Sequence, residues 1–232
     1  MIFFMKIPLT KYGLPQVAAF PAMILVAMVT ILFAGHADIM TDGAVKNTEI
    51  ILFIVLAWVL SFFRDPYRDC PQDANILLSP ADGVVSDIET IDHDLFAGGK
   101  AIRIGIFLNI FNVHINRMPC PVRVDNVTYF PGEFKNALDP ESARVNEANQ
   151  IEMTRLNEPC DKIIVRQISG AIAKRIVCQA TPGQEFTGGQ QFGMIKFGSR
   201  TELYLPVGEN ADVLVEIGQK VKAGLTSFVR YK

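Results

Sequence analysis

Apolar and polar positions are spread unevenly along the chain. No charged side chain occurs from Tyr12 to Gly35, and 18–34 is almost wholly apolar. Roughly 20 helical residues cross a hydrocarbon layer of about 30 Å, so this stretch predicts a membrane-spanning helix. Pro21 either kinks it or marks its start. A second apolar run, 50–63, carries Trp58 near its end. It amounts to only about 21 Å of helix, which suits a thin crossing, a re-entrant segment or a helix lying in the interface. A cleaved signal peptide fits less well, because the first stretch is too long and lacks a small-x-small end. A buried hairpin in a globular protein is the other reading of the pair.

The texture changes after Phe63. Short β-type runs, broken by Gly, Pro and Asn, occur at 76–78, 84–88, 101–106, 122–130, 151–156, 162–169, 172–180, 203–206 and 211–217, with an apolar run at 107–113. Runs of this length and spacing predict a mostly β fold, a sandwich or barrel, behind the N-terminal hydrophobic helices. Only 136–150 departs from the pattern; its polar, Ala- and Glu-containing sequence predicts a loop or short helix. Two turns, Ser79-Pro80-Ala81-Asp82-Gly83 and the segment 215–224, resemble turns of lipoyl- and biotinyl-type sandwiches. No lysine sits at a hairpin tip in the setting a carrier needs. The expected division is a membrane-associating segment, 1–63, and a β-rich domain, 64–232.

Charge sharpens the membrane reading. Residues 1–63 hold three basic and three acidic side chains, leaving 19 basic and 21 acidic for the rest of the 232-residue chain. Lys6 and Lys11 precede the apolar pair and Arg64 and Arg68 follow it, while Asp38, Asp42 and Lys46 lie between. The positive-inside rule puts both flanks, and hence the β-rich domain, on the cytoplasmic side of a cell membrane. A net charge of −2 gives no basic surplus for nucleic acid. Four cysteines without a C-x-x-C pair suggest buried thiols, and no metal site is expected.

Gly198-Ser199, within Phe197-Gly198-Ser199-Arg200, is the most informative dipeptide. Taken alone it reads as a turn. In context, a serine hydroxyl beside an open glycine carbonyl can perform an N-to-O acyl shift, provided that a base takes its proton. Of the three histidines, His114 is the leading base, since an imidazole titrates near neutral pH; the alternative is a satisfied core histidine. Asp82 is the candidate orienter of that imidazole, against the plainer reading of Ala-Asp-Gly as a turn. Arg64, Arg68, Arg117 and Arg200 are candidate phosphate partners or ordinary surface charges.

Four motifs then occur in order behind the apolar leader: Phe63-Arg64-Asp65-Pro66, Ser79-Pro80-Ala81-Asp82-Gly83, Phe111-Asn112-Val113-His114 and Phe197-Gly198-Ser199. Together they resemble the short, prokaryotic form of phosphatidylserine decarboxylase, over essentially the whole chain. The resemblance implies a proenzyme that cuts itself at Gly198–Ser199 into a large chain, 1–198, and a small chain, 199–232. It implies a pyruvoyl group, a pyruvate cofactor made from Ser199, which forms a Schiff base with the substrate. It also implies His114 as base for self-cleavage and Asp82 as the residue that orients it. Longer members carry two histidines where this chain has His114 and Arg117. The implied partners are phosphatidylserine, a membrane, the two chains of one precursor and, as an option, a second copy in a homo-oligomer. The rival readings are a membrane-anchored lipoyl/biotinyl-like adaptor without catalysis, a pyruvoyl decarboxylase of a soluble amino acid, and a serine hydrolase. Ser199 lacks the G-x-S-x-G setting of the last.

Overall fold

A computed structural model describes residues 9–136, 141–170, 175–196, 199–208 and 211–232. The chain divides into two compact units, residues 1–67 and 68–232.

The first unit is a helical hairpin. Helix α1 (Gln16–His36) and helix α2 (Asp42–Phe62) have 21 residues each, and both are long and apolar enough to cross a membrane. Pro21 lies inside α1 and does not end it. Its missing N–H lies past the first four free donors, so α1 forgoes one bond to the carbonyl four residues earlier and continues regardless. Large apolar side chains of α1 stand in the open, with Met23 67 % and Phe33 69 % exposed. α2 starts eight residues before the apolar run at position 50. Thr41 caps it by accepting from the Ala44 N–H, and Asp42 sits in the first turn, where the helix dipole favours a negative charge. The polar start thus lengthens a helix that apolar content alone made short.

The second unit is mostly β. Its elements are β1 (Ile76–Leu78), β2 (Gly83–Asp92), β3 (Lys100–Leu108), β4 (Ile115–Arg117), β5 (Val122–Phe130), α3 (Ser142–Val145), β6 (Ala148–Arg155), β7 (Lys162–Ile168), β8 (Ile176–Cys178), β9 (Glu185–Phe186), β10 (Gln191–Ile195), β11 (Ser199–Pro206), β12 (Ala211–Val213), β13 (Lys220–Val221) and β14 (Ser227–Tyr231). An eight-stranded sheet runs in the order β13-β2-β3-β11-β7-β6-β5-β9; two three-stranded sheets run β4-β10-β8 and β1-β14-β12. All pairings between these strands are antiparallel. The expectation of a mostly β fold holds, and because the sheets of the described residues are open the barrel alternative does not.

Alternation along the long strands decides what is buried. Ile104, Ile106 and Leu108 of β3, Ile163 and Val165 of β7, and Leu203 and Leu205 of β11 share one core with Met118, Phe192 and Phe228. Full burial of such side chains is worth about 1.5–3 kcal/mol each. The intervening β11 positions, Arg200, Glu202 and Tyr204, lie on the other face. Gly105 of β3 makes room for Arg200 there, since a Cβ at Gly105 would lie 2.3 Å from the Arg200 Nη2.

Candidate functional site

Ser199 opens β11. It pairs with Leu108 of β3, and alternation puts its side chain on the core face with Thr201 and Leu203. It is fully buried, and its Oγ has no hydrogen-bond partner among the described residues. Leaving a buried hydroxyl unpaired costs about 1–3 kcal/mol, so such an atom calls for an explanation. Gly198, the other half of the expected cleavage site, lies outside the described residues.

His114 precedes β4 and is also fully buried. Its Nδ1 lies 2.9 Å from the Asn112 carbonyl oxygen. A carbonyl can only accept, so in the neutral ring Nδ1 carries the proton and Nε2 the basic lone pair. The Asn112 carbonyl is itself held by a tight turn. The Asn109 N–H donates to Asn112 Oδ1 at 2.9 Å, the Phe111 N–H donates to Asn109 Oδ1 at 2.9 Å, and the Asn112 N–H donates to the Asn109 carbonyl at 3.0 Å.

Topology brings His114 and Ser199 to one end of the same interlayer space. Alternation places His114 and Asn116 on one face of the β4 segment. Asn116 reaches the eight-stranded sheet there: its Nδ2 donates to Thr201 Oγ1 at 3.1 Å, and its Oδ1 accepts from Gln167 Nε2 at 2.9 Å. The His114 carbonyl accepts from the Ile195 N–H at 3.2 Å. Ile195 is four residues before Ser199, and Leu108, the partner of Ser199, is six residues before His114. The connection from Leu108 to His114 therefore starts at the end of the sheet where Ser199 lies.

Asp82 takes different partners. Its Oδ1 and Oδ2 accept from the two terminal guanidinium nitrogens of Arg68 at 2.6 and 2.8 Å, and Oδ1 also accepts from the Ala223 N–H at 2.8 Å. These bonds tie the Ser79–Gly83 turn to the segment that enters the domain and to the turn between β13 and β14. The carbonyl of Pro80 in that turn accepts from the Arg117 N–H at 3.0 Å and from Asn116 Nδ2 at 3.4 Å. Asp82 therefore bears on the strand that carries His114, whereas the group on the ring's Nδ1 is the Asn112 carbonyl.

The arginines expected at a phosphate are engaged within the protein. Arg200 donates through Nε to Glu202 at 2.8 Å, through Nη1 to Ser86 at 2.8 Å and through Nη2 to Asp87 at 2.8 Å. Burial alone pushes the Asp87 carboxyl up, but the Ser86 hydroxyl and the Arg200 and Arg103 charges hold it below the usual 3.8. Arg117 Nη1 donates to the Gly189 carbonyl at 3.0 Å, and in the first unit Arg64 Nη1 donates to the Ser61 carbonyl at 2.7 Å.

Sequence reasoning did not single out the polar layer around Asn116. Gln167 Oε1 accepts from Asn149 Nδ2 at 3.2 Å, which carries the network from the small sheet across β7 to β6. Gln167 and Ser169 are polar residues at core-phase positions of an apolar strand, and that mismatch is the signal that could have found them. Lys196, near the expected cut, was also missed; burial, with the Arg175 charge, holds its amine below the usual 10.5. Among the described residues no group of three His, Cys, Asp or Glu side chains could hold a metal ion.

Comparison with known proteins points the same way as the four motifs. The family model described as phosphatidylserine decarboxylase matches residues 55–228. The chain is 42 % identical over 198 residues to a phosphatidylserine decarboxylase proenzyme of Desulfotalea psychrophila, covering 84 % of this chain and 91 % of that one. It is 40 % identical over 228 residues to the proenzyme of that name from Rhodopirellula baltica, covering 98 % and 90 %.

Proposed function

The chain belongs to the phosphatidylserine decarboxylase family and is thus a decarboxylase; we propose that it cuts itself between Gly198 and Ser199 and converts phosphatidylserine to phosphatidylethanolamine and carbon dioxide at a membrane surface. One observation carries the cleavage: the first residue of a central strand holds a fully buried hydroxyl with no partner among the described residues. Most buried hydroxyls are paired, so one left unpaired beside the expected cut supports a chemical role. The relatives' designation as proenzymes agrees with a precursor that must be processed.

In this reading Ser199 Oγ attacks the Gly198 carbonyl carbon and its proton passes to Nε2 of His114. The Gly198–Ser199 C–N bond breaks, the serine nitrogen takes a proton, and an ester joins the two residues. Elimination across the Cα–Cβ bond of residue 199 releases the carboxylate of residue 198. Hydrolysis of the resulting enamine, through its imine form, consumes water, expels ammonia and leaves a ketone carbonyl. The Asn112 carbonyl keeps the proton on Nδ1, so the lone pair stays on the nitrogen that serves as base. Asp82 supports the arrangement one step back, by fixing the turn whose Pro80 carbonyl holds Asn116.

The site suits a pyruvoyl group at position 199, because the hydroxyl that would be lost has no partner among the described residues and its loss orphans none of them. Such a carbonyl supplies the electron sink that decarboxylation demands and that no ordinary side chain provides. The apolar helices would keep the domain at the bilayer, on the cytoplasmic side if the flanking basic residues set the orientation, and raise its effective concentration toward a lipid substrate. The adaptor reading is not favoured, since the relatives are named as decarboxylase proenzymes.

Intact mass under denaturing conditions tests this. Active protein should give two chains, the smaller beginning at position 199 without an amine and blocked to stepwise N-terminal degradation. Ser199→Ala should stay whole, folded and inactive, and His114→Ala should accumulate precursor in a cleavage time course. A single full-length chain with an unmodified serine in active material would overturn the proposal.

A further inference from the structure

Ser199 is not the only orphan in its row. The β7–β11 register pairs Arg200 with Ile168 and Thr201 with Gln167. Carried one residue further, it sets Ser169 opposite Ser199. Across the next strand the Ser169 N–H donates to the Glu147 carbonyl at 2.9 Å, continuing the pairing of Ile168 with Ala148. Residues directly opposite one another on neighbouring strands project from the same face. Ser199, Ser169 and Glu147 therefore form one polar row across three strands. Each has a buried side-chain oxygen with no partner among the described residues: Ser199 Oγ, Ser169 Oγ and Glu147 Oε2. The other Glu147 oxygen accepts from the Tyr129 hydroxyl at 2.9 Å. The backbone beneath the row is fixed, because Asn146 Nδ2 donates to the Ser169 carbonyl at 2.8 Å.

A carboxylate oxygen is an acceptor only, and a hydroxyl can accept as well as donate. Once the Ser199 hydroxyl is gone, the row offers a carboxylate oxygen that can only accept and a hydroxyl that can accept, so it suits a ligand rich in donors. The headgroup of phosphatidylserine offers a phosphate, a carboxylate and an ammonium. Of these only the ammonium donates, and the Glu147 charge repels the other two. Adjacent strands lie about 4.8 Å apart, so an amine brought to position 199 is within one or two strands of both acceptors.

We propose that Ser169 and Glu147 form the subsite that receives the substrate's primary amine beside position 199. This rests on the decarboxylase reading above and adds the residues that present the amine. Glu147 draws in the ammonium and accepts its proton as the nitrogen becomes nucleophilic, and Ser169 accepts a second N–H and aims the nitrogen.

The test uses the full-length, self-cleaved protein in mixed micelles of defined lipid mole fraction, with two readouts. One is the KM for dioleoyl phosphatidylserine. The other needs no decarboxylation: cyanoborohydride trapping of dioleoyl phosphatidylethanolamine on the small chain, read by intact mass as the lipid fraction that gives half-maximal labelling. Loss of a charge-assisted hydrogen bond of about 1.5–3 kcal/mol corresponds to roughly 10–100-fold. Glu147→Gln should raise both values by a common factor in that range while the precursor still cleaves. Glu147→Asp should recover part of the loss, and Ser169→Ala should raise both values several-fold. Values within twofold of wild type in a cleaved Glu147→Gln protein would overturn the proposal, as would a rise for phosphatidylserine alone. If Glu147→Gln does not fold, Ser169→Ala decides, and unchanged values there overturn it. A wild-type protein that stays one chain would instead overturn the parent reading, and this one with it.

Discussion

At the scale of single residues, the best-connected group near the site lies on the opposite face of β11 from Ser199. Arg200 is gripped by Glu202, Ser86 and Asp87, and this fixes the backbone from which Ser199 projects. Because the folded state holds the Asp87 carboxyl below 3.8, it binds fewer protons there than the unfolded chain does. The stabilisation is therefore present above about pH 4 and is lost as pH falls through the lower, folded value. Asp87→Asn should melt below wild type at pH 7, and the two melting curves should converge toward pH 3. Parallel melting temperatures across that range would show that the carboxylate contributes nothing. Residue-level reading of the sequence singled out Ser199 and His114 as candidates because a nucleophile and a base have few candidate types. It could not see the Asn112 carbonyl, which as a main-chain atom has no signature in residue type. Nor could it see that Arg68, distant in sequence, would take both oxygens of Asp82.

Among the elements, alternation foretold the long strands well. β5 and β1 lie where the apolar pattern puts them, and β7 ends one residue before its apolar run does. The apolar run over 107–113 ends as a strand at Leu108, where the asparagine turn begins, and β6 starts at Ala148 rather than 151. The run over 172–180 yields a strand only at Ile176–Cys178, with 171–174 outside the described residues. What escaped were β4, β9, β10, β13 and β14, and two of these, β4 and β10, are the strands next to His114. β4 has three residues, too few to show a period, and β10 contains Gly193. That glycine has a tertiary cause: a Cβ there would lie 2.2 Å from the Val177 carbonyl oxygen and 3.0 Å from Gln167 Nε2. Gly193→Ala should therefore push β8 and the Gln167 amide away from β10. A loss of about 1–3 kcal/mol is expected, together with slower self-cleavage, because β10 leads into the cut. Gly208, with nothing within 4 Å of its would-be Cβ, is the control. Equal stability and equal cleavage in the two alanine variants would remove β10 from the account.

At the scale of the whole molecule, the site belongs to the second unit, and its strands do not sort by the chain they would end up in. β11 lies between β3 and β7, β14 lies between β1 and β12, and β13 pairs with β2. A cut before Ser199 assigns β11 through β14 to the small chain, so that chain would supply a middle strand to two of the three sheets. The two pieces should co-elute in native buffer and part only in denaturant. The cut then changes what kind of event unfolding is. For an uncleaved Ser199→Ala protein it is an isomerisation, and its melting temperature is indifferent to protein concentration. For the cleaved protein it is a dissociation, so melting should shift upward as concentration rises. Refolding would become a second-order encounter between two strangers with no covalent memory of each other. Thermal scans over a hundredfold range of concentration would reveal this, and a melting temperature that stays constant for cleaved protein would contradict it. Self-processing at this position would thus act as a ratchet: the fold is assembled once, while the chain is whole, and is afterwards kept rather than remade.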